Sequence, residues 1–301
     1  MDYLMTYLER THLEIVLAVE REGSMTAAAE SLHLTQSALS HSMSKLEDQL
    51  GVQIWERKGR QLLPTQAGQY LINTARRLVP QFTRTEGQLI QFSRGERGSL
   101  KIGMECHPCY QWLQRITNPY LQDWPSVELD VIQKFQFAGI EALLVHEIDI
   151  IVTPDPVRRP ELTFIPVFDY EQVLVVSGDH PYRGRKYVQP EDLSEETLFT
   201  YPVCSDRLDI FTNFLTPVGR TVKYQKIIET TEIMIQMVAC GRGVTALPGW
   251  LVKEFAERYD IHPVKLGKKG VNKQIHLGIR KEDAKVDYIE AFLEQARLST
   301  I

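Results

Sequence analysis

Residues 23–51 read GSMTAAAESLHLTQSALSHSMSKLEDQLG, and this stretch decides how the N-terminal part of the chain folds. Ser24 is a good helix N-cap, and Met25, Ala28, Ala29 and Leu32 recur behind it at i, i+3, i+4 and i+7. After the short link His33-Leu34, Thr35 offers a second N-cap. Leu39, Met43, Leu46 and Leu50 then follow at spacings of four, three and four, and Gly51 sits where a helix C-terminus favours glycine. The other face of this second helix carries Ser37, Ser40, His41 and Ser44, with Gln36 in its first turn. A merely solvated face would carry long Glu and Lys side chains. Hydroxyls, an amide and an imidazole instead reach phosphate oxygens and base edges without holding the helix out of a groove. The pattern predicts a helix-turn-helix, in which the alanines let the first helix pack closely on the second.

The flanks complete the domain. Arg10 to Arg21 predicts a preceding helix, with Leu13, Val16 and Leu17 packed beneath the pair, and residues 1–9 read as a loose leader. Beyond Gly51, Val52 to Trp55 predicts a short strand, ERKGRQ a basic turn, and Leu62-Leu63-Pro64 the return. This is a wing that places Arg57, Lys58 and Arg60 against the phosphate backbone. The competing reading is a solvated hairpin tip. Thr65 caps a long helix to about Phe92, along which Leu71, Ala75, Leu78, Phe82, Thr85, Leu89 and Phe92 form a heptad-like seam. Such a seam needs a cover. The same helix of a second subunit would supply it and set two recognition helices on a two-fold axis; the alternative is packing on the chain's own sensor domain. Pro80 is expected to kink this helix.

The pattern A-A-A-E-S-L-x-L-T-Q-S-A-L-S-H-S-M-S-K-L-E-D-Q-L-G-V-Q-I-W-E-R, from Ala27 to Arg57, resembles the LysR-type transcription regulators. Ser24, Thr35, Gln36, Ser37, Ser40 and His41, with the wing residues, are the candidate contacts to double-stranded DNA. The resemblance implies a winged helix-turn-helix over residues 1–64, a linker helix for dimerisation over 65–92, and a hinge over 93–98. An α/β effector domain over 99–301 would follow, as two lobes around a cleft, like periplasmic solute-binding proteins. Lobe I would take about 99–164 and 267–301, and lobe II about 165–266.

Composition agrees with an intracellular regulator. The 301 residues carry a net charge of −5, yet residues 1–98 hold eleven Lys and Arg against eleven Asp and Glu, so the acid lies in the remainder. A neutral DNA-binding region must concentrate its positive charge locally, as at Arg57, Lys58 and Arg60. Neither a membrane-spanning run nor a secretory leader is evident, and the four cysteines fit a reducing cytoplasm rather than a disulfide framework.

From residue 99, strands and helices alternate, the signature of a parallel α/β sheet. Strands are expected at 100–104, 127–132, 148–152, 164–167, 172–176, 198–200, 244–247 and 274–279. Helices are expected at 109–121, 140–145, 208–215, 231–239, 250–258 and 288–297. In such sheets ligands sit beyond the carboxyl ends of the strands, against helix N-termini that favour an anion. That rule selects Glu105, Cys106 and His107, then Thr153, Tyr201, and the pair Thr230 and Thr231, with Phe135 lining the pocket and Arg207 pairing with a carboxylate. Each of these residue types also serves as a cap or turn, Thr231 above all.

Cys106-His107-Pro108-Cys109 admits two other readings, a thiol redox pair at a helix N-terminus or, with Cys204, a metal site. A single C-x-x-C carries little weight for either. Gly241-Arg242-Gly243 lacks the strand and third glycine of a nucleotide loop and reads as a helix stop. No catalytic triad, Walker-type loop or paired-carboxylate motif stands out, so no enzyme activity, catalytic residue, metal or cofactor is expected.

Within the LysR-type family, Met104–Leu113, Val167–Pro181, Tyr201–Phe211 and Ile235–Val252 resemble the regulators of methionine biosynthesis. That resemblance implies a homodimeric or homotetrameric activator that works on RNA polymerase, with homocysteine as co-inducer. It implies no membrane partner.

Overall fold

In a computed structural model, which describes residues 7–58, 61–93, 98–106, 108–132 and 138–299, the second and third helices start on the predicted N-caps and the third stops on the predicted glycine. Helices α1 (Arg10–Glu22), α2 (Met25–Ser31) and α3 (Gln36–Leu50) follow one another directly. Ser24 Oγ accepts from the Ala27 N–H at 3.2 Å and Thr35 Oγ1 from the Ala38 N–H at 3.2 Å, each serving an otherwise orphaned helix donor. Gly51 closes α3 in the left-handed region, at φ 66°. Leu13, Ile15, Val16, Ala28, Leu39, Met43 and Leu46 meet in a core sealed by Ile54, Leu71, Ile72 and Ala75.

The wing is shifted from the expected position. Its strands are β1 (Trp55–Lys58) and β2 (Gln61–Pro64), antiparallel with Trp55 opposite Pro64. Val52 and Gln53 stay outside because Glu47 Oε1, on α3, accepts from the Ile54 and Trp55 N–H groups at 2.6 and 3.3 Å. The ladder therefore begins only at Trp55.

Helix α4 (Gln66–Ser93) is capped by Thr65, whose Oγ1 accepts from the Gly68 N–H at 3.1 Å, and it runs through Pro80 as one element. Gly68 permits close packing here, since a Cβ would lie 2.1 Å from the Ile54 carbonyl oxygen. The predicted seam divides along its length. Leu71 and Ala75 are buried in the chain's own domain core, whereas Phe82, Leu89 and Phe92 are exposed, as is Ile90 beside them.

The chain divides into two units, residues 1–96 with 144–147 and residues 97–143 with 148–301. In the second, β3 (Gly98–Met104), α5 (Cys109–Asp123), β4 (Val127–Ile132), α6 (Gly139–Leu144) and β5 (Ile150–Thr153) form the first lobe, with β3 parallel to both β4 and β5. There follow β6 (Leu162–Ser177), β7 (Tyr187–Val188), β8 (Thr197–Thr200), β9 (Tyr224–Ile227), α7 (Thr231–Ala239), β10 (Val244–Pro248), α8 (Gly249–Ala256), β11 (Ile261–Leu266), β12 (Val271–Arg280) and α9 (Asp287–Leu298).

The sheet is mixed rather than wholly parallel. Its strand order is β4-β3-β5-β12-β6-β10-β8-β9, with β11 also on β6 and β7 beside β11. The two strands expected at 164–167 and 172–176 are one strand, β6. It pairs antiparallel with β12 through residues 162–172, and then with β10 and β11. Val167 has no opposite residue, because Phe168 faces Ile275 and Pro166 faces His276; a proline is tolerated at such a bulge. The expected helix at 208–215 is one π-helical turn, Ile210–Leu215. Among the described residues, no helix is long and apolar enough to cross a membrane.

Candidate functional site

The outer face of α3 has the predicted chemistry. Ser24, Thr35, Gln36, Ser37 and His41 are exposed and Ser40 is half-buried. Gln36 Nε2 donates to Ser40 Oγ at 2.8 Å, and the Thr35 and Ser37 hydroxyls lie 3.1 Å apart. The caps thus present a short-armed polar surface one turn deep, with the α3 dipole positive at this end. Arg57 and Lys58 are exposed on β1, with Lys58 Nζ 3.3 Å from Glu56. Arg60 lies outside the described residues.

In the second unit, two adjoining cavities of about 90 and 530 Å³ share Glu105, Asp155, Arg207 and Asp209. Glu105 follows β3, and its Oε2 accepts from Thr153 Oγ1 at 2.8 Å and from Arg207 Nη2 at 3.1 Å. The first partner stands at the end of β5 in the same lobe; the second crosses from the segment after β8. Arg207 also lies 3.8 Å from Asp155. Lys273, on β12, donates to Asp155 at 2.7 Å and stands 3.2 Å from Asp209. Burial pushes the Asp209 carboxyl above its usual range against the pull of Lys273. Burial also works to lower the Lys273 ammonium, but the carboxylates of Asp155 and Asp209 outweigh it and the net shift is upward. Tyr201 OH meets Thr231 Oγ1 at 2.7 Å. Burial raises the Tyr201 and Tyr170 hydroxyls well above their ordinary value, so both stay neutral hydrogen-bonding groups.

The predicted residues fall into three groups. Glu105, Cys106, Tyr201 and Arg207 line the cavity, while Thr153 and Thr231 reach it through Glu105 and Tyr201. Thr230 is the exposed N-cap residue of α7 and its side chain makes no capping bond. His107 and Phe135 lie outside the described residues. Asp155, Asp209, Lys273 and Tyr170 were missed. Asp155 is two residues past the strand end that selected Thr153 and could have been found by that rule, whereas nothing local marks Lys273.

Two expectations at α5 need correction. Cys106 and Cys109 are joined by a disulfide, with Cα atoms 5.4 Å apart, so a local cross-link exists where thiols were expected. In this state neither offers a thiolate to a metal. The start of α5 also presents fewer anion-binding donors than expected, because Pro108 has none and the Cys109 N–H donates to the Cys106 carbonyl at 3.2 Å.

Comparison with known proteins places both halves. A model of the bacterial regulatory helix-turn-helix protein of the lysR family matches residues 11–69, and one of the LysR substrate binding domain matches residues 93–299. The HTH-type transcriptional regulator MetR of Escherichia coli strain K12 is 37% identical over 290 residues, covering 96% of this chain and 90% of that protein. The regulatory domain of MetR, a LysR family regulator from N. meningitidis, superposes with a TM-score of 0.62 at 32% identity, over 66% of this chain and 92% of that one. Full-length CbnR in complex with its target DNA shares the fold, with a TM-score of 0.65 at 24% identity over 97% of this chain and all of that one. The residue pattern of α2 and α3, the two-lobed cleft and these matches agree: the chain belongs to the LysR family of DNA-binding transcriptional regulators and is not an enzyme.

Proposed function

We propose that this regulator controls genes of methionine biosynthesis and answers to homocysteine bound in the cleft. The observation that carries the ligand reading is the Glu105–Arg207 pair, a carboxylate and a guanidinium held 3.1 Å apart between the two lobes. An α-amino acid carries the complementary pair of charges. Its ammonium takes Glu105 and its carboxylate takes Arg207, each replacing the partner that the other leaves. Tyr201 and Thr231 hold the second lobe's wall by a hydrogen bond between neutral groups, which leaves the charges of the ligand to the Glu105–Arg207 pair. Likeness to regulators named MetR supports the pathway.

The chain acts as a homodimer or homotetramer. The apolar row Phe82, Leu89, Ile90 and Phe92 on α4 is exposed, and a second copy of α4 covers it. Two α3 helices then face a dyad operator, with Gln36, Ser37, Ser40 and His41 at base edges and Arg57 and Lys58 on phosphates. Bound there, the protein activates by contact with RNA polymerase. Calorimetric titration of the full chain with homocysteine, methionine and cysteine tests the ligand: homocysteine should bind tightest, and the absence of any preference removes it. Footprinting of methionine-gene promoters with and without homocysteine tests the pathway.

A second reading has its own observation. The Cys106–Cys109 disulfide lies at the cavity, which favours a regulator that senses oxidation through this pair. Regulation that survives Cys106→Ser/Cys109→Ser under both reducing and oxidising conditions removes it.

A further inference from the structure

The disulfide and the ligand cleft occupy the same place. Cys106 lines the cavity that holds Glu105, Arg207, Tyr170 and Tyr201, immediately after the carboxylate that faces Arg207. Its partner Cys109 is the first residue of the fifteen-residue helix α5 and is 1% exposed, against 8% for Cys106. The two sulfurs are therefore unequal: one borders the ligand space and the other is sealed in the core.

We propose that Cys106 is a thiol-exchange site, at which a small aliphatic amino thiol bound in the cleft opens the Cys106–Cys109 disulfide. The proposal rests on the reading that the cleft admits such a ligand. The ligand's thiol gives its proton to solvent, and the thiolate attacks Cys106 Sγ. A bond forms between the ligand sulfur and Cys106, the Cys106–Cys109 bond breaks, and Cys109 leaves as a thiolate. Attack falls on Cys106 because Cys109 is the less reachable sulfur, and the first turn of α5, which Cys109 begins, contains no acidic residue to oppose the departing thiolate. A second ligand thiolate then takes the first ligand from Cys106 as its symmetric disulfide. Two electrons have passed from two ligand thiols to the protein disulfide, and both cysteines end as thiols. No outside oxidant or reductant enters.

This chemistry separates a thiol from a thioether of nearly the same size. Methionine fits the same charges but cannot exchange. The covalent step adds its atoms directly beside Glu105, whose bond to Arg207 joins the two lobes, so the modification acts on the contact that governs the cleft.

The test uses the full chain in its disulfide form under anaerobic conditions, with intact and peptide mass spectrometry. Homocysteine should open the disulfide at least ~10-fold faster than β-mercaptoethanol at equal thiolate concentration, because the cleft holds the attacking sulfur at its target. One molecule of homocystine should form per chain, and methionine should do nothing. Cys109→Ser exposed to homocystine should carry a stable adduct on Cys106, whereas Cys106→Ser should leave Cys109 unmodified. Equal rates for homocysteine and β-mercaptoethanol, or equal labelling of the two cysteines in these variants, overturn the proposal. If homocysteine nevertheless binds the full chain by calorimetry, only the exchange chemistry falls; without binding, the ligand reading falls too.

Discussion

The two units of the chain bury polar groups in different ways. Among the described residues, the core of the DNA-binding unit contains a single buried polar side chain, His12, whose Nδ1 accepts from the Glu9 N–H at 3.0 Å. The effector unit buries Asp149, Arg280 and Asp283 outright. Arg280 donates to Asp149 and Asp283 at 2.7 and 2.6 Å and to the carbonyls of Leu143 and Ile148 at 2.6 Å each. At its cleft the same unit uses the same chemistry half-open, with Arg207 and Lys273 serving three carboxylates. A closed ion cluster with all three guanidinium nitrogens engaged fixes a frame. An open cluster can exchange partners, and that is what a ligand site requires.

The comparison fails first at Arg280 if it is wrong. Arg280→Ala leaves two buried carboxylates without their cation and should destabilise the effector unit by about 3–5 kcal/mol, seen in urea unfolding of the full chain. A loss below ~1 kcal/mol would place this cluster with ordinary surface pairs. Arg207→Ala should shift the balance toward binding. Stability should fall by less than for Arg280→Ala, since only one buried carboxylate, Glu105, loses its cation and it keeps its bond from Thr153, while homocysteine affinity by calorimetry drops by about 10–100-fold, the worth of a charge-assisted hydrogen-bond pair.

The DNA-binding unit sharpens the contrast, since its proposed base contacts lie on an exposed face and its core is left alone. Gln36→Ala should cut discrimination between operator and random DNA by about 1–3 kcal/mol, whereas Arg57→Ala should weaken both and lower the salt slope by about 1. Equal losses on both DNAs for Gln36→Ala would count against a base-reading role. The smallest effect belongs to His12. Burial lowers its pKa below 6.5, and its protonation would remove the acceptor for the Glu9 N–H. The unfolded chain takes up the proton first, so this stability is present above 6.5 and is lost as pH falls through the folded value. The unfolding midpoint of this unit should decline between about pH 7.5 and pH 5, and His12→Gln should flatten that dependence.

How much was legible in the sequence follows the range of the forces involved. Helices α1 to α4 are set by caps and apolar spacing within a few residues, so Ser24, Thr35, Gly51 and Thr65 mark their ends. Strand β9 escaped because all four of its residues are exposed and show no alternation, and β11 because Pro263 interrupts it. Strand β6 read as two pieces because Pro166, Asp169 and Glu171 break its apolar run where it changes neighbours. At the cleft, strand ends pointed to Glu105 and Tyr201. Lys273 was invisible because its carboxylates lie 118 and 64 residues away in the chain and only the returning strand brings them together. The disulfide was spelled by its spacing, but spacing alone does not separate a thiol pair from a bond.

The ribbon of β6 and β12 bears on what this protein can signal. Two strands held by a continuous antiparallel ladder oppose any spreading of the lobes, since spreading would break backbone hydrogen bonds along residues 162–172 and 271–280. Twist is the deformation such a pair already carries, and it increases locally at a bulge, which this pair has at Val167. The effector unit is thus built like a torsion bar. On the proposed function, a change that a ligand made at the cleft would emerge as an angle rather than as a gap.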